Sequence, residues 1–136
     1  MERHYPKFII ILSLLIIVIC GAGYFLWGKD RMSVAYQQAT AGLSEKEALL
    51  VLDYGDDKER WFKGEIQSGM TVANVIQASS MAGNFDYKIN SHVSSLDGVA
   101  SNGSKNWHCY LNSEQVDGQI AKQKVNPKDK IVCKYQ

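Results

Sequence analysis

Twenty consecutive residues without a charge, Phe8 to Trp27, constrain this chain more than any other feature. Only Ser13 among them carries a clearly polar side chain. As one helix the stretch rises roughly 30 Å, which matches the hydrocarbon layer of a bilayer. The expected organisation is therefore a short cytoplasmic leader over residues 1–7, a transmembrane anchor over 8–27, a spacer over 28–46 and one domain over 47–136. A cleavable signal peptide is the alternative, because Arg3 and Lys7 form a basic leader and Gly21-Ala22-Gly23 supplies small residues. Cleavage there leaves Tyr24-Phe25-Leu26-Trp27 as an apolar new terminus, which favours the uncleaved anchor with Tyr24 and Trp27 in the outer interfacial belt. Cys20 is a poor lipoprotein site, since Ile19 stands where a small residue is needed.

The flanking charges orient the anchor. Arg3, Lys7 and the chain amine lie before it, whereas Lys29, Asp30 and Arg31 partly cancel after it. The expected location is a single-pass protein of the cell membrane with its C-terminal domain outside, or a secreted one if the N-terminal segment is removed. From Lys29 onward thirteen Lys or Arg face thirteen Asp or Glu, interleaved rather than blocked. No basic stripe exists for phosphates, so a nucleic-acid partner is not expected. Met32 to Ser44 is rich in Gln, Ala, Ser, Thr and Gly and reads as the spacer.

From Glu47 the pattern is that of strands. Ala48 to Tyr54 is a mostly apolar run, Gly55-Asp56-Asp57-Lys58 has turn composition, and Arg60 to Ile66 returns as the second arm of a hairpin. Thr71 is placed to cap a helix over Val72 to Met81, with Val72, Val75, Ile76 and Ser79 on one face and Gly83 as its stop. This helix carries no charge, so it should lie against a sheet. Phe85, Tyr87 and Ile89 alternate with polar residues as a short strand. A turn-rich stretch follows, containing Leu96-Asp97-Gly98-Val99 and Asn102-Gly103-Ser104-Lys105. Trp107 to Leu111 and Lys130 to Tyr135 complete the strands. One helix across a mixed sheet of four to five strands is an α+β, β-grasp-like fold.

Gly69-x-Thr71-Val72-x-x-Val75-Ile76, Leu96-Asp97-Gly98-Val99, Trp107-x-x-Tyr110-x-Asn112 and Pro127-x-Asp129-x-Ile131-x-x-x-Tyr135 occur in that order. Together they resemble the transcobalamin-like C-terminal domain, a β-grasp family of mostly bacterial exported proteins of unknown function. That family is related to the C-terminal domain of the cobalamin carriers transcobalamin and intrinsic factor. The resemblance implies a binding module, with cobalamin or another corrinoid as the ligand class. It makes Trp107, His108, Tyr110 and Asn112 the candidate ligand contacts. Alternation along the strand weighs against part of this set, since Trp107, Cys109 and Leu111 share one face and should pack under the helix. Asn112 suits a turn as well as a ligand.

Cys109 and Cys133 lie mid-strand in a domain expected to face an oxidising space. In a β-grasp sheet their strands are neighbours, so they either form a disulfide or stand as two buried thiols. Enzyme readings are weaker, and no catalytic residue is assigned. Cys109 and His108 are adjacent and point to opposite faces, which argues against a thiol hydrolase. His92 offers no defined partner, and Ser91, Ser94 and Ser95 lie in no nucleophile elbow. Asp53, Asp56, Asp57 and Glu59 lack calcium-loop spacing, and no metal site is expected. Asn102-Gly103-Ser104 has the form of a glycosylation acceptor but reads as a turn. The expectation is a non-enzymatic module that binds a small ligand or a cell-surface protein, with a protein-interacting or structural domain lacking a ligand pocket as the alternative.

Overall fold

The computed structural model of the chain describes residues 41–136. The expected leader, the expected anchor and residues 28–40 of the expected spacer lie outside these residues. Among the described residues no helix is long and apolar enough to cross a membrane.

The hydrophobic run Glu47–Asp53 forms strand β1, and Glu59–Glu65 returns beside it as β2. Their antiparallel register pairs Leu50 with Phe62 and Ala48 with Gly64. Helix α1, Val72–Gly83, follows. After it come β3 (Tyr87–Ile89), β4 (Val93–Leu96), β5 (Val99–Ala100), β6 (Trp107–Leu111), β7 (Glu114–Gln115), a short 3-10 turn at Asp117–Gln119, and β8 (Lys130–Tyr135). The main sheet has the order β2-β1-β8-β6-β7, with β1 and β8 parallel at its centre. A hairpin, a helix and a parallel return to the first strand make the β-grasp-like, α+β arrangement.

A second sheet, β3-β4-β5, is an addition to the expected plan, which has only one short strand and turns there. Its hairpin tip explains it. Asp97 and Gly98 both take positive φ, 50° and 78°, between the paired residues Leu96 and Val99, the geometry of a two-residue type I′ turn. Strands of four and two residues built from Ser, Val and Ala leave little periodic signal.

Helix α1 starts where Thr71 caps it. The Thr71 hydroxyl accepts from the Asn74 N–H, and the Asn74 side chain accepts from the Thr71 N–H. It runs two residues beyond Met81 and ends at Asn84, whose left-handed backbone (φ 49°) turns the Phe85 N–H back to the Ser80 carbonyl at 3.1 Å. Gly83 is thus the last helical residue rather than the stop. A Cβ there would lie 2.3 Å from the Phe62 ring, so glycine is required by the close approach of β2 to the helix. Ala48, Leu50 and Leu52 of β1 pack with Val72, Val75 and Ile76 of α1, Trp107, Cys109 and Leu111 of β6, and Ile131 and Cys133 of β8. Each large aliphatic buried this way contributes about 1.5–3 kcal/mol.

The two sheets are pinned at one corner. Tyr54 Oη donates to Asp97 Oδ2 at 2.6 Å, Arg60 Nη1 donates to the same oxygen at 2.6 Å, and Arg60 Nη2 donates to the Gly83 carbonyl at 2.8 Å. The guanidinium also lies 5.1 Å over Phe62 and 5.4 Å from the Phe85 ring centre. Burial, and then the Asp97 carboxylate, raise the Tyr54 phenol well above its ordinary range. Burial alone would raise Asp97 too, but bonds from Tyr54 and Arg60 hold it below the ordinary carboxylate value.

Candidate functional site

Strand β6 divides the candidate residues between two faces. Trp107 points into the core with 1% of its surface exposed. Its indole N–H donates to the Val99 carbonyl at 2.8 Å, and its ring stands edge-on to Tyr54 at 5.6 Å and tilted against Tyr135 at 5.4 Å. Trp107 therefore clasps the second sheet to the first and offers no face to a ligand.

Cys109 and Cys133 sit opposite each other in register, both fully buried, and are joined in a disulfide. The backbone bonds between Asn106 and Gln136, and from Asn112 to Lys130, fix the phase of the ladder. Cys109 and Cys133 fall on a pair that exchanges no backbone hydrogen bonds, where the strands approach most closely; their Cα atoms are 4.0 Å apart. A bonded, buried sulfur at Cys109 leaves no thiolate for nucleophilic chemistry.

Asn112 belongs to the turn. It takes φ 48°, its N–H donates to the Lys130 carbonyl, its Oδ1 accepts from the Lys130 N–H, and its Nδ2 donates to Asp129 Oδ1 at 2.7 Å. Asp129 Oδ2 in turn accepts the Asn126 N–H. Both polar atoms of the Asn112 side chain are engaged in holding β6 to the start of β8.

His108 and Tyr110 remain on the outward face. His108 Nδ1 lies 2.6 Å from Asp117 Oδ2, Asp117 Oδ1 accepts the Cys109 N–H at 2.6 Å, and Gln115 Nε2 donates to Asp117 Oδ2 at 2.7 Å. Burial would raise the Asp117 carboxyl, but Gln115, His108 and the Cys109 amide together hold it below the ordinary range. The ionised Asp117 carboxylate offers an acceptor to the Nδ1 edge of the His108 ring. Tyr110 Oη accepts from Gln136 Nε2 at 3.1 Å. On the same face, burial and then neighbouring Lys134 bring the Lys130 ammonium down to about 8.

Asp117 is the member of this hydrogen-bonded cluster that the sequence reading misses. It lies in the 3-10 turn after β7, beyond the reach of any strand or helix period. A following Gly118 marks a turn, but nothing in the spacing brings that carboxylate back beneath His108.

Two depressions are described elsewhere on the surface. One, about 430 Å³, lies between β2 and α1 and is lined by Phe62, Gly64, Ile66, Val75, Ala78 and Ala82 among others. The other, about 620 Å³, is a polar hollow near Asn84, Asp86 and Asp97. Neither is lined by Trp107, His108, Tyr110 or Asn112. Among the described residues no three of His, Cys, Asp and Glu converge as metal ligands.

No family model matches the chain, and neither does any curated protein. Among solved structures, a protein of Ruminococcus gnavus ATCC 29149 whose name suggests metal binding is similar with a TM-score of 0.53 and 16% identity, covering 68% of this chain and 97% of its own. Haptocorrin in complex with Cbi is similar with a TM-score of 0.50 and 9% identity over 68% of this chain. The match spans 26% of the haptocorrin chain. At such identities the likeness is one of fold. The chain thus carries an α+β domain similar in fold to part of haptocorrin.

Proposed function

We propose that this chain is a membrane-anchored recognition module whose domain, outside the cell, binds a protein partner and performs no catalysis. The observation that carries this reading is the outward face of β6, on which His108 and Tyr110 are half-exposed. There His108, Asp117 and Gln115 form a pre-ordered hydrogen-bonding cluster beside half-exposed Tyr110, and neither described depression includes it. Small ligands are held in concave, mostly apolar sites, whereas aromatic and polar groups fixed on an open surface suit a macromolecule. Buried Trp107 and committed Asn112 weigh against the corrinoid that the family resemblance implies, and the likeness to haptocorrin supports a binding role only at the level of fold.

The test places a photo-crosslinking amino acid at Tyr110, and separately at Lys88, in the full chain in its native membrane. The expected result is one saturable protein adduct from position 110 that is lost in His108→Ala. In parallel, the full chain in lipid nanodiscs is titrated with Cbi and followed by thermal shift. A saturable shift with Cbi that His108→Ala abolishes would overturn the protein reading in favour of a corrinoid site.

A further inference from the structure

We infer that Asn102, in the turn between β5 and β6, is a self-modification site: its side-chain amide is displaced by the backbone nitrogen of Gly103, and water then converts the cyclic imide to aspartate or isoaspartate. The reaction consumes only solvent water and is independent of recognition at His108 and Tyr110.

Asn102 is the only asparagine of the chain that a glycine follows. Cyclisation requires the nitrogen of the next residue to approach the asparagine Cγ, and a side chain on that residue obstructs the approach. Gly103 has no side chain to do so. Its φ of 85° lies in the left-handed region, and a Cβ built on it meets nothing within 4 Å. Asn102, Gly103, Ser104 and Lys105 are all exposed. Solvent base and water therefore reach both reacting atoms.

The turn also prepares the carbonyl that is attacked. Asn102 Oδ1 accepts the Ser104 N–H at 3.2 Å, the Ser104 hydroxyl at 2.9 Å and the Lys105 N–H at 2.9 Å. The ring closed by the Ser104 N–H bond contains both Asn102 Cγ and the Gly103 nitrogen, so the side chain is folded back toward the atom that attacks it. Three donors on one oxygen polarise Cγ and stabilise the negative charge that gathers on Oδ1 as the tetrahedral adduct forms. Among the described residues no hydrogen bond engages Asn102 Nδ2 or the Gly103 N–H, so the leaving amide and the attacking nitrogen are both uncommitted. Asn112, which a serine follows, differs on this point, because its Nδ2 is bound to Asp129.

The Gly103 nitrogen gives its proton to solvent base and bonds to Asn102 Cγ, the Cγ–Nδ2 bond breaks, and ammonia leaves. Water then opens the imide at either carbonyl. Opening the newly formed bond leaves an ordinary aspartate, whereas opening the original peptide bond leaves isoaspartate, with the main chain running through Cβ. Either product adds a negative charge and cancels the formal net charge of +1. Aspartate retains an acceptor for the Ser104 and Lys105 donors. Isoaspartate inserts an extra main-chain atom into the loop that the Asn102 N–H closes on the Lys105 carbonyl at 3.1 Å, and so opens the turn that leads into Trp107.

The test incubates the full chain in lipid nanodiscs at neutral pH, in water enriched in heavy oxygen, and follows its peptides by mass spectrometry. A synthetic peptide spanning residues 100–106 is the unfolded reference. The expected result is conversion of the Asn102 amide to an acid carrying one solvent oxygen, at a rate equal to or above that of the free peptide. Ser104→Ala removes the hydroxyl donor and should slow the folded chain about two- to tenfold, the effect of one hydrogen bond to the developing charge. An unchanged melting temperature shows that this variant is folded. A folded-chain rate below the peptide's would overturn the inference, because the turn would then protect Asn102. A rate that Ser104→Ala leaves unchanged or raises would overturn it too, because the turn would then lend the reaction nothing.

Discussion

Arg60 of β2 and Asp97 of the β4–β5 turn meet at 2.6 Å and join the two sheets through a single carboxylate oxygen that Tyr54 also occupies. Asp97 must have a left-handed backbone for its turn and a charged side chain for this bond, so one residue both shapes the second sheet and fastens it.

Asp97→Ala should lower stability by about 1–3 kcal/mol, because it leaves the Tyr54 hydroxyl and an Arg60 arm unpaired at a half-buried corner. Urea denaturation of wild type and variant measures this. The same loss from Arg60→Ala, and no further loss in the double variant, would identify the pair as one unit.

Asp97 and Asp117 both have carboxyls held below their ordinary value in the folded chain. A depressed folded pKa means that the unfolded chain binds the proton first as pH falls. Their stabilisation is therefore complete above the unfolded value near 4 and is lost as pH drops below it through the folded values. Unfolding free energies measured from about pH 6 to pH 2.5 should fall steeply in the lower half of that range. The slope should flatten in Asp97→Asn and Asp117→Asn.

Reducing the Cys109–Cys133 bond, or replacing both residues by Ala, should cost about 3 to 4 kcal/mol, from the freedom regained by an unfolded chain no longer closed across 24 residues. Unfolding with and without reductant checks the value. Because both sulfurs are fully buried, reduction should be slow until the domain is partly unfolded.

Asn112→Ala should destabilise the domain by about 1–3 kcal/mol, since Ala tolerates φ 48° poorly and supplies neither the Lys130 nor the Asp129 bond. A residue serving mainly a ligand would instead leave the unfolding midpoint unchanged.

Gly83→Ala and Gly64→Ala should separate cleanly. The first drives a methyl to 2.3 Å from Phe62 and should cost about 1–3 kcal/mol, whereas the second meets open space and should be neutral or slightly stabilising. Paired thermal melts of the full chain decide it.

The elements that sequence makes legible are those with a period. The continuous run of β1, the capped helix from Val72 and the alternation of Trp107, Cys109 and Leu111 each reflect one buried face. Strands β4 and β5 escape notice because Ser94, Ser95 and Ala100 contribute no apolar rhythm, and their pairing depends on a turn anchored from afar by Arg60. The candidate site is legible only in half. Alternation turns His108 and Tyr110 outward, but Asp117 reaches His108 through the path of a tertiary loop.

The parallel pairing of β1 with β8 has a mechanical meaning. The chain enters the sheet at Glu47 and leaves it at Tyr135, and these points lie at opposite ends of two neighbouring strands. A pull between the segment before β1 and a partner held near the C-terminus would load the β1–β8 bonds together, in shear, rather than opening them one at a time. A domain tethered on one side and grasped on the other would thus meet tension along its most resistant direction.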